Sequence, residues 1–265
     1  MVVSQFEIAS HYDVMAELDR DVHDDVELSR TEVDLALALM STAPRSVFLP
    51  CFGTGRHIAH LLACGVKRVV GVDLSLRCVD KAQRQFADDA RVELLVGDLA
   101  SWRTSERFDA VILLGNSFGD IVDPKVLGKV TDGMLAPLAS DGTFLMDYIG
   151  EGYLDRARGR VSSCWEATLH GIAVVDQRTP RFDEETRVMS IDVEARANHG
   201  GALLWTGCYQ KAVLSDERLS AHFLERGFRC TAHGRATELN RDYYGSHHGE
   251  LGMIARSTWW TGRHA

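Results

Sequence analysis

"VFLPCFGTGRHI" (residues 47–58) decides the fold. Val47, Phe48 and Leu49 read as a buried strand, Gly53-Thr54-Gly55 as a sharp turn, and Ile58 through Leu62 as the start of a helix. That order sets backbone N–H groups and the positive end of a helix where the charged part of a nucleotide-like ligand sits. The turn departs from G-x-G-x-x-G at its end, because Ile58 fills the place of the third glycine. It also departs at its beginning, where Leu49 stands at a position often held by a carboxylate.

Outward from this turn, strands and helices alternate. Apolar runs predict strands over about 46–50, 67–73, 91–96, 109–115 and 142–148, with helices over about 56–64, 76–87 and 124–137. Two helices precede them, over about 5–18 and 24–41, the second with Val26, Val33, Leu37 and Met40 on one side. Short connections and strands such as "RVVGV" and "AVILL" imply a parallel sheet covered on both faces. The pattern then changes: three long strands are expected over about 163–176, 186–197 and 202–214. In "RVMSIDVEA", Met189, Ile191, Val193 and Ala195 alternate with Val188, Ser190, Asp192 and Glu194, and "NHGG" (198–201) is a hairpin turn. A helix near 215–226 and strands near 228–234 and 250–256 close the chain.

The expected fold is α/β, a doubly wound, Rossmann-like seven-stranded sheet with N-terminal helices and an antiparallel β-sheet inserted over the ligand cleft. It is read as one domain over 1–265. Residues 1–44 are a helical cap, 45–150 the ligand-binding core, 161–214 the insertion and 215–265 the helix and strands that complete the sheet.

With 265 residues, 45% of them hydrophobic, the chain buries a full core. No apolar run reaches the ~20 residues of a membrane span, and "MVVSQFEIASHYD" lacks a signal-peptide layout. Six scattered cysteines without a C-x-x-C pair read as reduced residues of a cytoplasmic protein, with no metal site expected. The net charge of −9 argues against sequence-independent nucleic-acid binding. Acidic residues crowd 17–34 (Glu17, Asp19, Asp21, Asp24, Asp25, Glu27, Glu32, Asp34) and read as solvated helix faces, or as a gate favouring a cationic substrate. The expected partner is a small molecule, with neither nucleic acid nor membrane; a homodimer is compatible with this reading.

Two further markers follow the glycine turn. Asp73 ends the next strand in "VVGVDLS", where a carboxylate accepts from both hydroxyls of a ribose; Ser75 is better placed than Asp73 to cap the helix that follows. Asp98, in "VELLVGDLASW", can accept from an exocyclic adenine amine or simply close a turn. Three polar features at successive strand ends make the sequence resemble class I S-adenosylmethionine-dependent methyltransferases. "FDAVILLGNSFGDI" (108–121) resembles the segment of the glycine- and sugar-N-methyltransferase-like group in which a strand ends in "LGNSF".

The resemblance implies S-adenosylmethionine as cofactor. Gly53, Thr54 and Gly55 would line its methionine part, Asp73 with Leu74 its ribose, and Asp98 with Leu99 its adenine. Cys51, Leu114 and Gly115 complete the wall, and Tyr12 resembles an N-terminal tyrosine that covers the cofactor. Cys51 takes the place of the loop's usual first glycine, and Pro50 lacks an N–H. With no carboxylate at Leu49, backbone carbonyls near Cys51 or Leu114 are left to accept from the cofactor's ammonium. A nicotinamide cofactor uses the same turn and acidic strand end, but leaves Gly97-Asp98 and "LLGNSF" unexplained.

The activity implied is direct in-line methyl transfer to a small molecule, with nitrogen of an amine-bearing metabolite or sugar as acceptor. Oxygen or carbon acceptors and a non-catalytic binding protein are the alternatives. A protein or RNA methyltransferase would carry a basic groove or a Pro-Pro-aromatic motif after strand four. Asn116 is expected to orient the nucleophile, Tyr148 to act at the end of the fifth strand, and His247, in "NRDYYGSHHGE" (240–250), to act as base. Glycine N-methyltransferases carry a basic residue soon after the fifth strand to engage the substrate carboxylate; here no arginine follows before Arg156, so the resemblance implies that glycine is a poor acceptor and that the surroundings disfavour anions.

Overall fold

The computed structural model describes residues 5–20, 26–149, 154, 157–235 and 257–265. In chain order the elements are α1 (Gln5–Glu17), β1 (Leu18–Arg20), α2 (Val26–Ala38), β2 (Ser46–Pro50), α3 (Ile58–Ala63), β3 (Arg68–Asp73), α4 (Leu76–Gln85), β4 (Val92–Val96) and β5 (Phe108–Leu113). A 3₁₀ turn (Ser117–Asp120), α5 (Pro124–Leu135), β6 (Leu138–Ile149), β7 (Ser163–Leu169), β8 (Ile172–Asp183), β9 (Val188–Ala197), β10 (Leu203–Ala212), α6 (Asp216–Leu224), β11 (Phe228–Arg235) and β12 (Ser257–His264) follow.

Seven strands form one sheet in the order β11-β12-β6-β5-β2-β3-β4. Its β6-β5-β2-β3-β4 portion is parallel, while β12 runs antiparallel to β6 and β11 antiparallel to β12. Strand neighbours alternate between two cores. Val47, Leu49, Val69 and Trp259 pack on one face with Val33, Ile58 and Val79. Phe48, Val70 and Trp260 pack on the other with Phe118, Met134 and Phe223. This is the period-2 geometry of a strand buried on both sides. Local chemistry sets the helix starts: the side chains of Ser75, Asp123 and Ser215 each accept from a first-turn N–H, and Pro124 occupies the first turn of α5.

The second sheet is antiparallel, in the order β1-β7-β8-β9-β10. Met189, Ile191, Val193 and Ala195 are its buried set on β9, as the alternation predicts. The expected first long strand is instead a hairpin, β7-β8, broken at His170 and Gly171. Both have positive φ (50° and 78°), the conformation of a two-residue primed turn. The insertion thus contributes four strands rather than three, and β1 adds a fifth that the sequence did not suggest. β6 begins at Leu138, earlier than expected. The strand expected at 250–256 lies outside the described residues; the last one described is Ser257–His264.

The second helix also turns differently from its expected register. Val26 is exposed, whereas Leu28, Glu32, Val33 and Ala36 face inward. Glu32 is therefore an interior carboxylate and not part of a solvated face. Among the described residues no helix is long and apolar enough to cross a membrane, and all six cysteines are free thiols.

Candidate functional site

The carboxyl ends of β2, β3, β4 and β5, the helix α1 and the inserted sheet enclose a cavity of about 590 Å³. Its first end is built largely from backbone. Leaving β2, the chain turns through Cys51, Gly53 and Gly55 with φ of 52°, 58° and 80°. A Cβ at Gly55 would lie 3.1 Å from Ile58 and 3.2 Å from Ala82, so only glycine lets the turn sit this close to the helices. Cys51 adopts a left-handed backbone that favours glycine, and its N–H donates to Val72 O at 2.8 Å. Asp73 Oδ2 accepts from Gly53 N (2.8 Å) and Oδ1 from Ser75 N (2.9 Å), tying the turn to the end of β3. Burial, opposed by these two bonds, raises the Asp73 pKa. Ser75, not Asp73, caps α4. Asp98 Oδ1 accepts from Ala100 N at 2.8 Å.

Thr54, Leu74 and Leu99 line the same cavity, with Leu114 and Gly115 at the end of β5 and Tyr12 on α1. All eleven residues expected around a cofactor therefore line one cavity. Leu49 is buried in the core and also touches the cavity, so no carboxylate replaces it from β2.

Side chains build the other end. Tyr12 Oη donates to Asp120 Oδ2 (2.6 Å), and Lys211 Nζ donates to Asp120 Oδ1 (2.6 Å) and to Asn116 O (3.1 Å). Burial, reinforced by Asp120, holds the Tyr12 pKa well above its ordinary value, so the phenol keeps its proton. Arg178, on β8, is buried between Asp176, Tyr209 and Met15. Trp165 and His11 complete this end. Two cations, Arg178 and Lys211, thus line this end, paired with Asp176 and Asp120; they come from the insertion and not from the residues after β6. Their signal was the spacing Tyr209/Lys211 and Asp176/Arg178, residues two apart and so on one strand face.

The expected catalytic residues scatter. Asn116 does not line the cavity. It is buried in a left-handed conformation (φ 56°), its N–H donating to Asp147 Oδ1 (2.9 Å) and its carbonyl accepting from Lys211. Tyr148 is a correction: it is buried in the core, where its hydroxyl donates to Ala212 O (2.7 Å) and accepts from Leu214 N (2.8 Å). Both bonds fasten the exit of β10 to β6, and the residue has no face on the cavity. His247 lies outside the described residues.

Behind the first end, Glu32 Oε2 meets Arg56 Nη1 (2.5 Å) and His57 Nε2 (2.8 Å), both on the cavity wall. Burial pushes the Glu32 pKa up, but the Arg56 charge and the His57 bond outweigh it and hold it at about 2. Asp147, buried without such cations in contact, is pushed up to about 7 by burial despite the bond from Asn116. Among the described residues no group of His, Cys, Asp and Glu is arranged to hold a metal ion.

Residues 50–142 match the family model described as a methyltransferase domain. No curated protein matches the sequence. Among solved structures, the chain is similar to the CcbJ methyltransferase from Streptomyces caelestis: TM-score 0.70, 18% identity, over 89% of this chain and 95% of that one. It is also similar to CalS10, an amino pentose methyltransferase from Micromonospora echinaspora solved with S-adenosylmethionine: 0.64, 14%, over 99% and 98%. The sugar N-methyltransferase KedS8 from a Streptoalloteichus species is a third: 0.64, 18%, over 91% and 87%. At these identities the structures share a fold with this chain.

Proposed function

We propose, from the premise that this chain carries an S-adenosylmethionine-dependent methyltransferase domain acting on small molecules, that its acceptor atom is the nitrogen of an amine-bearing metabolite or sugar. The observation that carries the reading is Asp120, a carboxylate on the cavity wall with each oxygen held by a donor, Tyr12 on one and Lys211 on the other. The activities of CalS10 and KedS8, on an amino pentose and on sugar nitrogen, support it.

The residues present fit the cofactor. Each Asp73 oxygen accepts one backbone N–H, and a carboxylate has about four acceptor sites, so capacity remains for two ribose hydroxyls. Leu99 and Val130 offer apolar surface for an adenine beside Asp98. Gly53, Thr54, Gly55, Leu114 and Gly115 would hold the methionine part, with Cys51 and Leu74 beside it and Tyr12 across it. When bound, S-adenosylmethionine supplies a methyl group activated by the sulfonium charge.

The chain's own contribution is alignment, exclusion of water and handling of a proton. Oriented reactants gain effective molarities of ~10⁵ M or more. An amine reacts as its neutral form, so Asp120 first holds the ammonium and then keeps its proton. Tyr12 and Lys211 fix the carboxylate in place for this. The inserted sheet belongs to the same domain, since its side chains form one end of the cavity. The test is incubation with S-adenosylmethionine and a panel of amino sugars and small amines, reading S-adenosylhomocysteine and the methylated atom by NMR. N-methyl products are expected; products methylated only on oxygen or carbon would overturn the reading.

A further inference from the structure

The buried faces of two neighbouring strands differ in a way the hydrophobic effect does not explain. On β9 the interior face is Met189, Ile191, Val193 and Ala195. On β8 it is Val174, Asp176, Arg178 and Pro180, with Arg178 and Asp176 no more than 7% exposed. Burying an ion pair costs several kcal/mol per ion, and apolar side chains of similar volume usually serve stability as well or better. The pair therefore calls for a role beyond packing.

Arg178 also has directional capacity left over. Of its five N–H groups, Nε and one on Nη2 go to Asp176 Oδ2 (3.2 and 3.1 Å), the other on Nη2 to Met15 Sδ (3.1 Å), and one on Nη1 to Tyr209 Oη (3.3 Å). One N–H of Nη1 remains. Lys211 uses two of its three N–H groups, on Asp120 and Asn116. Both cations stand against the same ring, Arg178 Cζ 5.9 Å and Lys211 Nζ 5.8 Å from the Tyr209 centroid, and Trp165 holds the guanidinium from another side at 5.6 Å. Both line the cavity; so does Asp120, whereas Asp176 stands behind the wall. The inserted sheet thus puts two cations and no carboxylate on the cavity wall.

We propose that the methyl acceptor is amino acid-like: its carboxylate seats on Arg178 and Lys211, and its amine faces Asp120. This rests on the amine-acceptor reading above and adds the acid group to it. Two oxygens match the two remaining donors, one from each cation. A phosphate dianion would bring more charge and more lone pairs than this pair satisfies.

The experiment measures binding and turnover separately. The protein is loaded with S-adenosylhomocysteine and titrated calorimetrically with proteinogenic amino acids and with the primary amide of each. At least one amino acid is expected to bind about tenfold or more tightly than its amide, as the loss of a charge-assisted hydrogen bond implies. In Arg178→Lys the preference should shrink. In the double variant Arg178→Gln with Asp176→Asn, which leaves no lone buried charge, it should vanish while affinity for S-adenosylhomocysteine stays within several-fold. Equal binding of acids and amides by wild type, an unchanged preference in the double variant, or tighter binding of phosphate monoesters would each overturn the proposal. Turnover separates the two readings: amines methylated without gain from a carboxylate leave amine methylation standing and remove the acid site. Acids bound with methyl placed only on oxygen do the reverse.

Discussion

At the Gly53–Asp98 end of the cavity the wall is mostly main chain, positioned by three parallel strands and the turns that leave them. At the Tyr209 end it is side chains on an antiparallel sheet, held by hydrogen bonds among Tyr12, Asp120, Lys211, Arg178 and Tyr209. A backbone-built site tolerates exchange of many surrounding residues, because N–H groups and left-handed turns depend on chain path. A side-chain site changes with every substitution. The first end therefore suits a ligand common to many proteins, and the second a ligand peculiar to this one.

Removing Asp73 is the most direct way to break that division. Asp73→Ala deletes the carboxylate proposed for the ribose and two bonds that shape the turn. Affinity for S-adenosylhomocysteine should fall by about 3–4 kcal/mol, several-hundredfold, by calorimetry. Retained affinity in a folded variant would remove Asp73 from the cofactor site.

Asp147 holds Asn116, whose carbonyl accepts from Lys211, and there the effect is pH-dependent. Its folded pKa of about 7 lies above the ~3.9 of an unfolded aspartate. The folded protein therefore keeps a proton that the unfolded chain releases from about pH 4. This contribution to stability is fully present below that pH and is lost as pH rises through about 7. Asp147→Asn, whose amide oxygen still accepts from Asn116 N, should be more stable than wild type by about 2–3 kcal/mol at pH 8 and equal to it near pH 4, by urea denaturation. Glu32 has the opposite sign: its support, present above the unfolded pKa, disappears only as pH falls through about 2.

The smallest effect sharpens the comparison at the turn itself. A non-glycine residue in the left-handed region costs roughly 1–2 kcal/mol. Cys51→Gly should relieve about 1 kcal/mol of this, raising Tm by a few degrees while leaving acceptor preference unchanged. A loss of stability would mean that the thiol's packing outweighs the backbone strain.

The same division decided what could be read from residues alone. The Gly53 turn, Asp73 and Asp98 announce themselves because apolar runs end at them. The β7-β8 turn was missed because the apolar run of "ATLHGIAVV" continues across His170-Gly171 and resembles one strand. Arg178 and Lys211 were missed for a deeper reason. Alternation separates the faces of a strand but assigns the polar one to solvent, and on β8 and β10 polar side chains point into the protein. Tyr148 misled in the opposite sense: its place at a strand end suggested chemistry, yet its hydroxyl fastens two backbone segments.

The short strand β1 links the halves in a way that bears on how the protein is handled. Leu18, Asp19 and Arg20 pair with Leu169, Thr168 and Ala167 at the edge of the inserted sheet, directly after α1 has given His11, Tyr12 and Met15 to the cavity. Residues 5–20 are thus cavity wall and sheet edge at once. A construction that deletes them, or a bulky fusion that levers them away, would strip one side of both ligands' housing and bare the outer rim of β7 to pairing with other chains. Labels and anchors for immobilisation belong elsewhere on this molecule, such as the exposed turn at Gly200-Gly201, where the chain is far simpler to disturb without consequence.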